Sequence, residues 1–157
     1  MRKLLSLLTL PLALASCSTF GVPTGDVSGN ILGTQPSGAI RMAVRGVSLT
    51  GVQTPVVDQI NIPTFNPEKR AYAISFPANP AEGGYELLAY LDANGNNRFD
   101  SGETRTQNTG KTFVYSQSGI GDKSGKDLFN LKAGWTLVNG TSVEKSGTPF
   151  TSYDLNW

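Results

Sequence analysis

The chain of 157 residues contains no histidine and a single cysteine, Cys17. Without histidine, Ser-His-Asp and Cys-His catalysis are excluded, as are zinc or haem sites with histidine ligands. With one cysteine, no disulfide bond can form within the chain, even in an oxidising compartment. The fold must therefore be stabilised by its core, and any chemistry must use other side chains.

Charged residues are also too balanced to indicate a polyanionic partner. The chain has 13 lysines and arginines against 12 aspartates and glutamates, for a formal net charge of +1. Proteins that bind nucleic acid or an anionic membrane surface through charge normally carry a clear basic excess. We therefore expect no nucleic-acid partner and no polybasic membrane patch.

The N-terminal segment has the features of an export signal. Arg2 and Lys3 form a positive start, and residues 4–13 form an apolar run too short to span a bilayer as a mature helix. Leu14-Ala15-Ser16-Cys17 then resembles the bacterial lipobox at all four positions. The resemblance predicts a signal peptide over residues 1–16, with cleavage before Cys17 and lipidation of its thiol and amino group. The alternatives are an ordinary secretory signal with a nearby cysteine, or a short buried helix.

Lipidation of Cys17 would place the protein in the cell envelope. Each buried methylene contributes about 0.8 kcal/mol, so two or three acyl chains give stable anchoring. Residues 17–25 include Gly, Pro, Ser and Thr and are predicted to be a short tether. Ser18 stands where an aspartate marks inner-membrane retention in enteric lipoproteins, which favours the outer membrane or the cell surface. The expected partners are the membrane, through the lipid, and an envelope or surface-layer protein or a glycan.

Residues 26–157 are predicted to form one all-β domain. Apolar residues recur with a period of two, and no long stretch has the 3.6-residue period of a helix. Such a pattern, with frequent turn residues, is typical of a sandwich or barrel, here with about eight strands. The predicted strands are 27–31, 40–44 continuing to 49 after a bulge at Gly46, 56–62, 72–76, 85–91, 112–115, 135–138 and 150–157. Residues 116–127 are predicted to be a long loop that leads into one helical turn at 128–131.

The window from Asp92 to Glu103, after the most apolar predicted strand, is suited to a divalent cation. Oxygen-bearing side chains occur at its positions one, three, five, nine and twelve, the ligand spacing of the EF-hand calcium loop. The predicted ligands are the side chains of Asp92, Asn94, Asn96, Asp100 and Glu103, with the main-chain carbonyl of Arg98. Strands and not helices flank the window, so we expect a calcium loop between strands. Its predicted affinity is in the weak extracellular range, roughly 10⁻⁴ to 10⁻³ M.

Two other positions of this loop carry expectations. Position six, normally glycine, is Asn97, and asparagine is the next most tolerant residue for a left-handed backbone. Phe99, at position eight, is expected to point inward and fix the loop to the core. The alternative is a plain Asn/Gly-rich hairpin whose Asx side chains bond their own backbone. That alternative explains Asn94-Gly95 but not the acids at positions nine and twelve.

The segment from Tyr90 to Glu103 resembles the loop of bacterial surface β-sandwich modules. These modules include the SdrD-type B repeats and the carboxypeptidase-regulatory, or transthyretin-like, domains, and residues 27–31 are similar to the opening strand of the latter. The resemblance implies a single Ig-like or transthyretin-like antiparallel β-sandwich. It also implies that calcium rigidifies the module, with ligands at the matching positions Asp92, Asn94, Asn96, Asp100 and Glu103, and less directly Asn97. Such modules act as structural or adhesive elements, which favours a protein that is not an enzyme.

Two other function classes compete with this interpretation. A glycosidase would need two carboxyls facing a cleft about 5–9.5 Å apart, and the acids of residues 92–103 could supply them, although ion binding explains the same spacing. A carbohydrate- or protein-binding module would need exposed aromatic rings, for which the candidates are Trp135, Tyr115, Tyr153 and Trp157. The alternative role of these aromatics is core packing. The leading expectation is a structural or accessory envelope protein stabilised by calcium.

Overall fold

The structure is a computed structural model that describes residues 25–56, 58–63, 65–78 and 80–157. The predicted signal peptide, Cys17 and nearly all of the predicted tether lie outside these residues. No helix of the described ranges is long and apolar enough to cross a membrane.

The described residues form nine strands in two sheets, so the predicted all-β sandwich is confirmed. The strands are β1 (Val27–Leu32), β2 (Ile40–Val47), β3 (Gln59–Asn61), β4 (Ala71–Ile74), β5 (Gly83–Leu91), β6 (Lys111–Ser116), β7 (Gly134–Asn139), β8 (Ser142–Ser146) and β9 (Leu155–Asn156). The larger sheet has the order β3-β2-β5-β6-β7-β8, and the smaller has the order β4-β1-β9. The strand from 85 to 91, predicted to be central, is β5 in the middle of the larger sheet.

The main core lies between the two sheets and follows the period-two pattern of the sequence. Met42 and Val44 of β2, with Leu87 of β5, are at most 1% exposed and face the smaller sheet. From the smaller sheet, Val27 and Ile31 of β1 enter the same cluster. Each fully buried aliphatic or aromatic side chain contributes about 1.5–3 kcal/mol, so this interlayer cluster is the principal source of stability.

The outer face of the larger sheet is also partly covered. Ala43, Leu88 and Tyr90 form a separate buried cluster there, against which Phe99 packs. A second outer cluster is completed by residues of the long loop between β6 and β7; its buried members are Val114, Leu128, Leu131 and Val138. Two loops therefore fold back over the outer face, and one of them is the predicted calcium loop.

The two sheets are joined along one edge by the segment that follows this loop. Leu91 N donates to Thr104 O at 2.9 Å and Thr106 N donates to Ala89 O at 2.9 Å, so residues 104–107 return along β5 as a hairpin. Gln107 then exchanges two backbone hydrogen bonds with Asn156 of β9, each 2.8 Å long. Residues 104–107, termed the bridging segment, thus connect the larger sheet to the smaller one.

Several predicted boundaries are wrong. β8 is absent from the predicted strands, because it is an edge strand whose residues are mostly exposed and polar, with no apolar alternation to reveal it. The predicted strand 150–157 is reduced to β9, which pairs in parallel with β1, whereas the sequence predicts an antiparallel sandwich. No bulge occurs at Gly46, since β2 and β5 keep one register from Ile40 to Val47. Residues 128–131 form turns and bends without a helical turn.

Candidate metal centre

The loop from Asp92 to Glu103 closes a hairpin between β5 and the bridging segment. Its first residue is tied to the neighbouring strand, because Asp92 N donates to Ala39 O at 2.8 Å, just before β2. Asp92 itself is only 4% exposed, although residues 93–98 lie at the surface. The loop is thus an exposed turn whose first predicted ligand is buried at its base.

Left-handed backbone allows the loop to curl as tightly as the sequence predicts. Asn97, at position six, has φ 62°, as expected for the residue that replaces the usual glycine. Gly95 has φ 73° and Gly102 has φ 104°, both in the region that favours glycine. Three of the loop's residues therefore take conformations that most side chains resist.

Asn97 provides a direct test of this backbone requirement. Its side chain is exposed, so Asn97→Ala should act through the backbone alone and lower the free energy of unfolding by about 1 kcal/mol. Asn97→Gly should change it by less than about 0.5 kcal/mol, because glycine adopts positive φ without strain. Urea unfolding followed by tryptophan fluorescence measures both. Equal effects of alanine and glycine would contradict a left-handed position six.

The amide side chains form two successive Asx turns. Asn94 Oδ1 accepts the backbone N–H of Asn96 at 3.0 Å, and Asn96 Oδ1 accepts that of Arg98 at 2.7 Å. These are the hydrogen bonds of the plain-hairpin alternative. They do not exclude metal binding, since each amide oxygen has a second lone pair.

The carboxylates at positions nine and twelve hold the loop together from inside. Asp100 Oδ2 accepts hydrogen bonds from Asn94 Nδ2 at 2.8 Å and Asn96 Nδ2 at 2.6 Å. The Glu103 oxygens accept the backbone N–H groups of Ala93 at 2.9 Å and Asp100 at 3.0 Å. Glu103 therefore has a structural role that the plain-hairpin alternative does not anticipate.

Asp92 is the predicted ligand with the most unusual environment. Its Oδ2 accepts the backbone N–H of Asn97 at 3.1 Å and Nε of Arg41 at 2.5 Å. Its Oδ1 is buried and accepts no hydrogen bond of normal geometry among the described residues. The backbone N–H of Gly95 is near enough to the carboxylate to help lower its pKa, but it does not make such a bond. The carboxyl therefore lies at the centre of the curl with one oxygen available.

Both Asp92 and Asp100 are held in the charged form. Burial opposes ionisation of Asp92, but hydrogen bonds from Arg41 and the Asn97 backbone outweigh it and keep the pKa below its usual value. The amide donors of Asn94 and Asn96 lower the pKa of Asp100. A carboxyl group must be deprotonated to bind a cation, so both groups are ready to do so at neutral pH.

The donor set fits calcium in chemistry, with one restriction. Calcium takes six to eight oxygen ligands in flexible geometry, and carboxylate, amide and main-chain oxygens all serve. No group of three or more Asp, Glu, His or Cys side chains is gathered closely enough to hold a metal in the part of the chain that the structure describes. Calcium would therefore depend on the oxygens of Asn94, Asn96 and the Arg98 carbonyl as much as on carboxylates, as the sequence predicts.

The loop is fixed to the outer face of the larger sheet, chiefly through Phe99. The ring packs on the cluster of Ala43, Leu88 and Tyr90, with Arg45 and Arg105 lying 5.3 and 5.7 Å from its centre. The predicted anchoring role of Phe99 is thus present, although its site is the outer face and not the core between the sheets.

Three residues that support the loop are not evident from the sequence. Asn61 Nδ2 donates to Asn97 O at 2.6 Å, Gln59 Oε1 accepts Phe99 N at 3.0 Å, and Arg41 binds Asp92. Gln59 and Asn61 belong to β3 and Arg41 to β2. Their only sequence signal is their position on the polar face of alternating strands, which does not say what they contact.

The aromatic residues considered as a binding platform are mainly part of the core. Tyr153 is 1% exposed, and Trp135 stacks on Phe76 at 3.9 Å between ring centres. Tyr115 and Trp157 are partly buried against the same cluster. Among the described residues, the large hydrophobic side chains that are exposed are Leu32, Val56 and Phe129. They include no tryptophan or tyrosine, so these candidates form no exposed planar row.

Comparisons with protein-family models, with curated protein sequences and with solved structures find no match to this chain. The resemblance to bacterial surface modules therefore stays a prediction from residues 27–31 and 90–103. Any function must accordingly be inferred from the geometry of the described residues and from the sequence itself.

Proposed function

We propose that this chain is a lipid-anchored protein of the cell envelope whose β-sandwich is stabilised by calcium bound in the loop 92–103. Its role is structural or accessory, as part of an assembly with an envelope or surface-layer protein. The lipid anchor rests on the lipobox-like residues ending at Cys17. The calcium site rests on one observation above all, the buried and unpartnered Oδ1 of Asp92 inside the curl.

A buried carboxylate oxygen without a hydrogen-bond donor is unfavourable, because it has lost water without gaining a hydrogen bond in exchange. Asp92 Oδ1 is in this position, whereas the amide oxygens of Asn94 and Asn96 and both oxygens of Glu103 accept N–H groups. A hard cation that prefers oxygen would satisfy it. A plain Asx hairpin accounts for Oδ2, which accepts the Asn97 N–H and pairs with Arg41, but it leaves the buried Oδ1 unexplained.

Calcium at this site would stabilise the connection between the sheets. The loop closes the hairpin formed by β5 and the bridging segment, and Gln107 of that segment bonds β9. When this hairpin opens, the larger sheet loses the backbone hydrogen bonds that connect it to the smaller one along this edge. A ligand that binds only the folded loop therefore stabilises the whole sandwich by mass action.

A thermal melt of the purified mature protein tests this proposal. With about 1 mM calcium and a dissociation constant of roughly 10⁻⁴ to 10⁻³ M, mass action gives about 0.4–1.4 kcal/mol. For a domain of this size we expect chelation to lower Tm by about 2–8 °C. Asp92→Ala should abolish the response.

Asp122→Ala is the matched control. Asp122 also accepts a backbone N–H two residues ahead, from Ser124 at 2.8 Å, but in the loop between β6 and β7. This variant should keep the calcium response. Identical melts of the wild type in calcium and in chelator would refute the calcium site, whatever the variants do.

A further inference from the structure

Arg41 occupies a position that matters for any cation in the loop. It lies on β2 directly opposite Tyr90 of β5, two residues before Asp92. Its Nε is 2.5 Å from Asp92 Oδ2, and the Asp92 side chain is fully buried while that of Arg41 is 43% exposed. The guanidinium thus already neutralises the carboxylate that would be the first calcium ligand.

We propose that Arg41 sets the calcium affinity of the loop by acting as an internal cation that competes with Ca²⁺ for Asp92. This inference rests on the proposed calcium site, but it concerns a residue outside the twelve-residue window. Arg41 is a positioning and affinity-determining residue and not a ligand, since guanidinium has no acceptor atom.

Electrostatics supplies the reason. A guanidinium and a divalent ion at the same carboxylate repel each other, even where water partly screens the two charges, as it does around the half-exposed Arg41. When calcium binds, either the ion and the guanidinium remain close and repel each other, or the Arg41–Asp92 ion pair breaks. Both outcomes reduce the affinity for calcium. The same pair keeps the buried Asp92 charge compensated at low calcium, so the loop remains folded until the ion arrives.

The surroundings give Arg41 a place to move. A cavity of about 260 Å³ adjoins the loop. Arg41, Asn61 and Asn97 form its polar side, and the rest of its lining is apolar: Ile40, Met42, Ile62, Pro63 and Phe65. At the edge of this cavity, Asn61 Nδ2 donates a hydrogen bond to the carbonyl oxygen of Asn97, at position six of the loop. Because 43% of the Arg41 side chain is already exposed, Arg41 can withdraw from Asp92 towards the solvent beside this cavity.

Calcium titration of purified mature protein tests the inference, by calorimetry in detergent or against a chelating indicator. Arg41→Gln should bind calcium about tenfold more tightly than the wild type, the scale expected for a unit charge near a divalent ion at water-like dielectric. In chelator, the same variant should melt at a lower temperature than the wild type. Arg41→Lys, which keeps the charge, should stay within about threefold of the wild type.

Arg45→Gln is the matched control for loss of a positive charge on the same face of β2. Arg45 pairs with Glu86 at 2.9 Å, and Glu86 keeps a second partner in Arg105 at 2.6 Å. Because Arg45 contacts no predicted ligand, this variant should change the calcium affinity by less than about threefold. If Arg41→Gln does not fold, Arg41→Met removes the same charge and keeps the aliphatic stem.

The outcomes separate this inference from the calcium proposal itself. If the wild type binds calcium and Arg41→Gln binds no more tightly than Arg45→Gln, the inference is overturned and the calcium site stands. If only the Arg41 variants bind calcium, the inference is supported in its extreme form, and calcium stabilisation of the natural protein is refuted. If neither the wild type nor the Arg41 variants bind calcium, both are overturned.

Discussion

Gly29→Ala should lower the free energy of unfolding by about 3 kcal/mol or prevent folding, a larger stability effect than that of any variant in the loop 92–103. Gly29 lies in β1, and the chain segment before β9 crosses directly over it. A Cβ added there would lie 2.6 Å from the Tyr153 carbonyl carbon and closer still to its oxygen. Backbone contacts of this kind cannot be relieved by rotating a side chain.

The segment that would have to move is held from several directions. Tyr153 N donates to Ser28 O at 3.0 Å, and the Tyr72 hydroxyl donates to the same Tyr153 carbonyl oxygen that the new Cβ would meet. The Tyr153 ring packs on Phe113 at 4.6 Å between centres. Relief of the clash would therefore disrupt hydrogen bonds and core packing together.

Urea unfolding of purified protein measures the effect of Gly29→Ala, and Gly140→Ala serves as the control. Gly140 is in the β7–β8 turn with φ 59° and no atom within 4 Å of an added Cβ, so it should cost only the left-handed strain of about 1 kcal/mol. If Gly29→Ala is no more destabilising than Gly140→Ala, the close approach of Tyr153 to β1 is wrong.

Cys17→Ser should abolish lipid attachment completely. Cells that produce the wild-type protein and are grown with labelled palmitate should yield a labelled protein. On detergent partitioning, this protein should enter the detergent phase. The serine variant has no thiol to accept diacylglycerol, so it should be unlabelled. The same variant without residues 1–16 should stay in the aqueous phase. Mass spectrometry of the N-terminal peptide reports the modification directly.

Ser18→Ala is the control for this experiment, because it changes the adjacent residue and keeps the thiol. It should be labelled as strongly as the wild type. A wild-type protein with a free Cys17 thiol, or one still joined to residues 1–16, would refute the lipoprotein proposal and leave the β-sandwich unaffected.

The parts of the fold that could be predicted are those in which one face of a strand is buried. Alternation of Ile40, Met42 and Val44 identifies β2, because these residues enter the interlayer core. The long apolar run of β5 is explained by burial on both faces. β8 could not be predicted, since an edge strand with exposed polar residues has no such pattern, and the parallel pairing of β9 depends on contacts that no local pattern encodes.

The candidate site likewise has features that the local sequence predicts and partners that it does not predict. Loop spacing is local, so the left-handed Asn97 and the clustering of amide and carboxylate groups could be anticipated from residues 92–103. Arg41 is 51 residues from Asp92 in sequence and reaches it only through the β2–β5 register. Gln59 and Asn61 reach the loop because β3 pairs with β2 at the sheet edge. Such partners follow from sheet order, which alternation alone does not specify.

The position of β1 has a consequence for how the chain folds. β1 lies between β4 and β9, and Asn30 N donates to the Asp154 carboxylate across 124 residues of sequence. The smaller sheet therefore cannot be completed until residues near 155 are available, and loop closure over that distance must precede the contacts that reward it. Domains with such non-local pairing fold in roughly milliseconds to seconds. β1, the first strand of the domain, is thus among the last strands to be hydrogen-bonded along both of its edges.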